Sequence, residues 1–201
     1  MQPPANTAST LTGGFASAIG LADFSLEITG KAVEEVVRCA DLLPPRLPIN
    51  IAFLGNESDA QRIAAAGTIC AQGLQPVSIL SGRRLGSVEQ LDALLAGLAR
   101  HSKSLSIIVV GGDPVSAAGP FEAAVDILDS GILTRHPVSH VGIVGYPQGH
   151  HRIADDILWD ALREKAELLD RSGRTFEITT QYCLEPHAVI DWLGRLRAFG
   201  R

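Results

Sequence analysis

Glu27, Asp113, Tyr146 and Gln181 are the residues of this 201-residue chain best suited to chemistry. Glu27 is an acid inside the apolar run Phe24-Ser25-Leu26-Glu27-Ile28-Thr29, where a charge is seldom kept without a partner or a role. A carboxyl group in such a place can act as a general acid when burial or a neighbouring negative charge raises its pKa. Asp113, after Gly111-Gly112, is a second acid able to supply that charge or to stabilise a cation. Tyr146-Pro147 and the loop Gln148 to His150 offer a ring that can stack and groups that can hydrogen-bond. Gln181 adds an amide with both donor and acceptor. Arg83 and Arg84 are cations that could hold a phosphate or a carboxylate. Each has a purely structural alternative: a salt bridge for Glu27, a turn for Gly112-Asp113, an interstrand tie for Gln181, loop packing for Tyr146 and solvated charge for the arginines.

These residues share one kind of position, just past a strand that precedes a helix. Six strand-then-helix units run from Asp23 to Arg201. The expected strands are Asp23 to Thr29, Ile49 to Leu54, Pro76 to Leu80, Leu105 to Val110, Val141 to Val144 and Thr175 to Thr180. The fourth is the clearest, with four β-branched residues from Ile107 to Val110 ended by Gly111-Gly112. The expected helices cover Lys31 to Leu43, Asp59 as cap through to Gln72, a segment opened by a Ser87/Gln90 capping box, Phe121 to Leu133, Asp155 to Asp170, and a last one from Pro186. This alternation predicts a parallel sheet with its working face at the strand C-termini, as in a (β/α) barrel. Six units do not close an eight-stranded barrel, so a longer chain, a partner or second copy supplying strands, or an open doubly wound sheet are the three ways to finish it.

Composition narrows the classes. The chain is 46% hydrophobic and 19% charged, with a formal net charge of −5. No basic cluster suits a nucleic-acid backbone, and no apolar run approaches a membrane span. Residues 1–22 lack the features of a secretory or mitochondrial leader and read as a loose N-terminal arm. Cys39, Cys70 and Cys183 are scattered, the pattern of a reduced, cytoplasmic protein without a zinc site. His136, His140, His150 and His151 have no carboxylate or thiol at ligand spacing and read as loop residues, not metal ligands.

Four segments, each after a strand and in this order, resemble the methylenetetrahydrofolate reductase family, including its short bacterial relatives. They are Phe24 to Thr29, Gly111-Gly112-Asp113-Pro114, Val144-Gly145-Tyr146-Pro147-Gln148-Gly149-His150 and Thr180-Gln181-Tyr182-Cys183. Pro120-Phe121-Glu122 and Leu162-Arg163-Glu164-Lys165 also look like family spacers. The resemblance implies an α/β fold of the (β/α)8 TIM-barrel type, with six of eight βα units in residues 23–201 and the domain incomplete at its C-terminus. It implies reduction of 5,10-methylenetetrahydrofolate to 5-methyltetrahydrofolate, a step of one-carbon metabolism and methionine biosynthesis. NADH or NADPH gives the hydride, typically through FAD.

By the same resemblance, Glu27 and Asp113 are catalytic, and Gln181, Tyr146 and Asp113 contact the folate. Gly112, Asp113, Arg83 and His150 are cofactor contacts. Ile79, Gly111 and Phe53 depart from the family's polar flavin-contacting residues, which favours direct transfer from the nicotinamide, as in some short relatives. A folate-binding barrel that is non-catalytic or transfers a methyl group is the alternative. The expected partner is a small-molecule folate.

Overall fold

The structure, a computed structural model, describes residues 24–199. The expected arm at residues 1–22 lies outside them. Six strands form one all-parallel sheet in sequence order: β1 (Leu26–Thr29), β2 (Pro48–Ala52), β3 (Gln75–Ser81), β4 (Leu105–Val110), β5 (Val138–Gly145) and β6 (Thr175–Thr180). The helices between and after them are α1 (Val33–Cys39), α2 (Asp59–Ala71), α3 (Val88–Ala99), α4 (Ala124–Asp129), α5 (Asp155–Ser172) and α6 (Pro186–Phe199). The α/β class and the βα alternation are therefore present. Among the described residues β1 and β6 are the two sheet edges and do not pair with each other.

Parallel strands alternate their side chains between two faces. One face is the core. Ile49 and Ile51, Leu80, Ile107 and Val109, and Val141 and Ile143 are buried there under the helices. The other face carries Val77, Ile79 and Ser81 from β3, Ile108 and Val110 from β4, and Gly142 and Val144 from β5, matched by the register Ser81↔Val110 and Ile108↔Gly142. Two β5 glycines make room for neighbours. A Cβ on Gly142 would lie 2.7 Å from Ile108 Cγ1, and one on Gly145 would lie 2.6 Å from the Trp192 ring. Gly142 and Gly145 therefore serve sheet and helix packing, whereas Gly149, at a φ of +72° with nothing against it, serves the turn.

Several expected boundaries shift. The first helix is α-helical only over Val33–Cys39, with single 3-10 turns on either side. Ser58, not Asp59, caps α2. Its Oγ accepts from Gln61 N at 3.2 Å, while Gln61 Oε1 accepts from Ser58 N at 2.9 Å. Half of the expected Ser87/Gln90 box forms, because Gln90 Oε1 accepts from Gly86 N instead. Asp126 Oδ2 takes the backbone N–H groups of Glu122 and Ala123, so α4 begins only at Ala124. It breaks near Gly131, whose φ is +73°. β5 starts three residues before the expected Val141, since Val138 pairs with Leu105.

Candidate functional site

Towards their C-terminal ends, β2 to β6 and the loops that follow enclose a cleft of about 790 Å³, a size that suits a small-molecule ligand. Its floor is apolar, formed by Ile79, Val110 and Val144 on the face opposite the core. Of the seven residues to which the resemblance gives a role, six line it: Asp113, Gly112, Tyr146, His150, Arg83 and Gln181. Glu27 does not. It is exposed on β1, a sheet edge. The register Glu27↔Asn50 and Asn50↔Val77 nonetheless puts it on the same face as Ser81.

Local backbone structure brings the polar groups together. Gln181 N donates to Gly145 O at 2.8 Å, extending the β5–β6 ladder by one residue past β6. That bond seats Gln181 beside the Tyr146 loop. Gly149 N donates to Tyr146 O at 3.0 Å and turns the loop back. The rings of Tyr146 and His150 then meet edge to face at 5.5 Å, and His150 stacks on His151 at 4.6 Å. Burial, and then the charge of Asp113, push the Tyr146 phenol above its usual pKa. It is therefore a neutral donor at pH 7. Burial, with His151 and Arg152 adding to it, lowers the His150 pKa, and Asp113 opposes them. His150 is accordingly a neutral imidazole at pH 7.

Arg83, expected as a cofactor contact, lines the cleft and is also engaged within the protein. Its guanidinium is spent on protein carbonyls: Nε donates to Glu122 O at 2.7 Å and Nη1 to Pro114 O at 3.1 Å. Its backbone is committed as well, with Arg83 N donating to Gly111 O and Ala118 N to Arg83 O, both at 2.9 Å. Arg83 thus fastens the β4–α4 loop, which carries Asp113, to the end of β3. Gly112 lies under that clamp at a φ of +101°, where a Cβ would collide with Ser81 Oγ. Only glycine fits there, for conformation and for space.

Three other cations line the cleft: Arg84, Arg152 and Lys165. None of the three forms a salt bridge among the described residues. The Arg84 guanidinium lies 5.9 Å from the Phe53 ring centre, and the buried Arg62 lies 4.5 Å from it. Arg62 also donates to Ile79 O and faces Asp59, so it ties α2 to the wall of the cleft. Burial lowers its pKa, and Asp59 opposes that. Lys165, 8% exposed, reaches Val144 O at 3.5 Å.

Sequence reasoning passed over Lys165 and Arg62, yet both leave the same mark. Leu158, Leu162, Lys165 and Leu169 fall on one helical stripe, as do Arg62, Ala65, Ala66 and Ile69. A cation within an otherwise apolar stripe has to reach something polar beyond the core.

No family model matches the chain. Among the described residues no group of three or more His, Cys, Asp or Glu side chains is placed to hold a metal ion. No helix among them is long and apolar enough to cross a membrane.

Proposed function

We propose that the chain is six-eighths of a (β/α)8 barrel and a cytoplasmic oxidoreductase of the methylenetetrahydrofolate reductase type, reducing 5,10-methylenetetrahydrofolate with NADH or NADPH. The convergence of Asp113, Tyr146 and Gln181 on one cleft carries this reading, because an acid, a ring and an amide are what a cationic one-carbon unit on a pterin requires. Gln181 offers donor and acceptor to the lactam edge. Tyr146 supports the ring and donates from its neutral phenol. Ring opening needs a proton on the departing nitrogen, and the resulting iminium is stabilised by a nearby carboxylate. Of the two carboxylates in the cleft, Glu122 faces Arg83 and Asp113 is the one available to the substrate, while Glu27, on the same face of the sheet, is the second acid.

The nicotinamide supplies the hydride when bound. Arg84 and Arg152, free of ion pairs among the described residues, are the groups to meet its phosphates. A flavin fits the cleft less well. Ile79, Gly111 and Phe53 all line it, and they offer no polar side chain where the family binds FAD.

The test is NADH oxidation by the purified chain that depends on added 5,10-methylenetetrahydrofolate. Asp113→Asn should lower kcat by about 100-fold or more, in line with the loss of a charge made for the transition state. Its folate Kd should move by less than about threefold, since that charge acts on the transition state more than on the bound substrate. Glu27→Gln run beside it decides the second acid: unchanged turnover removes Glu27 from the reaction. Folate binding without any turnover would favour the non-catalytic alternative, and no folate binding at all would end the reading.

A further inference from the structure

The chain has three lysines, Lys31, Lys103 and Lys165. The first two are exposed, and the third is buried against the cleft wall. Lys165 extends from α5 to the C-terminal end of β5, where its Nζ stands 3.5 Å from Val144 O. That is too long for a strong bond from an ammonium group. The two acids of the cleft wall do not pair with it. Glu122 faces Arg83 at 4.0 Å, and Asp113 lies near Tyr146 and His150. Its neighbours on the wall include Val144, Leu158 and Ala161, which cannot compensate a charge. A buried cation without a counter-ion is costly, and the amine escapes the cost by giving up its proton.

We propose that Lys165 is a reactive amine of the cleft that condenses with a small carbonyl compound to form an imine. The Nζ lone pair attacks the carbonyl carbon. The carbonyl oxygen leaves as water with two protons from nitrogen, and a C=N bond replaces C=O. Burial holds this amine at about 8 rather than 10.5, so a useful fraction is unprotonated near neutral pH, the condition for a lysine nucleophile. Arg84 and Arg152, which make no ion pair among the described residues, favour a carbonyl compound that also carries a carboxylate, a 2-oxo acid. This activity stands independently of the folate reading.

The experiment treats the full chain at pH 7.5 with glyoxylate and sodium cyanoborohydride, which reduces the imine to a stable secondary amine, and maps the label by peptide mass. The expected result is labelling of Lys165 at least tenfold faster than Lys31 or Lys103. Acetaldehyde, which has no carboxylate, should label Lys165 more slowly than glyoxylate does. Lys165→Met, shown by circular dichroism to be folded, should lose the cleft label and keep the slow labelling of the other two. Equal labelling of all three lysines, or labelling confined to Lys31 and Lys103, would overturn the proposal. The wild-type map decides this whether or not the variant folds, and whether or not the chain turns over folate.

Discussion

Lys165 sets a testable link between the cleft and the stability of the fold. Its pKa falls from 10.5 to about 8 through burial. Below pH 8 the folded state holds a costly buried cation. Between about 8 and 10.5 the unfolded chain keeps a proton that the folded chain has released. Stability from this group therefore rises with pH across that window, by up to about 3 kcal/mol. Tyr146 works the other way at higher pH, because its raised pKa makes the folded state the better proton binder. Urea unfolding at pH 7 and pH 9.5 isolates the lysine when the wild type is compared with Lys165→Met. The variant should be the more stable protein at pH 7 by about 1–3 kcal/mol, since an apolar stem replaces an unpaired charge. Its advantage should shrink at pH 9.5. An advantage that does not change with pH would mean that Lys165 is not desolvated in solution. Glu27 shows the opposite limit of reading side chains from sequence. Its apolar neighbours Leu26 and Ile28 suggest burial, yet on an edge strand that pattern buries only one face, and Glu27 is exposed on the other.

The element that most needs holding is the β4–α4 loop, which brings Gly112 and Asp113 to the cleft. The Arg83 side chain fastens it at two points, Pro114 O and Glu122 O, and Asp126 holds its far end through the N–H groups of Glu122 and Ala123. Arg83→Ala removes both bonds and should cost about 2 kcal/mol, the side chain being one-third exposed. The larger effect should be local: backbone amides from Gly111 to Glu122 should exchange about tenfold faster or more, while those of β4 do not change. Lysine at this position cannot span both carbonyls with a planar fork, so Arg83→Lys should rescue little. Unchanged exchange in the loop would show that the clamp is not what orders it. This role was hidden in the sequence. Arg83 is next to Arg84, and nothing in the pair Arg83-Arg84 says that one bonds carbonyls of the β4–α4 loop and the other does not. The strands were far more legible. Leu105–Val110 and Thr175–Thr180 fall where their β-branched runs put them, because side-chain periodicity is local. The ends of α1 and α4 were not, because Asp126 and the 3-10 turns compete with helix for the same backbone groups.

At the scale of the whole molecule, burial falls away from the centre of the sheet towards β6. In β4, Leu105 to Val109 are all buried. In β6, four of six residues are exposed, and Phe176 and Ile178 are only half-buried. The last helix follows the same trend, with Ile190 62% and Leu193 37% exposed. A sheet with this gradient should open from its edge before it unfolds globally. Native-state hydrogen exchange on the dilute chain should find β6 amides that bond to β5 opening at least tenfold more often than those of β4, a gap of about 1.4 kcal/mol or more. Equal protection of β6 and β4 would show that the edge is covered in solution. Repeating the measurement at higher protein concentration separates the two ways of covering it. Protection that grows with concentration points to a second copy of the chain across the β6 edge. Protection that does not change points to cover from within the chain itself. Either result bears directly on the cleft, because Gln181 is anchored to Gly145 by the last bond of this same β5–β6 ladder, and whatever steadies that edge steadies the amide proposed to hold the pterin.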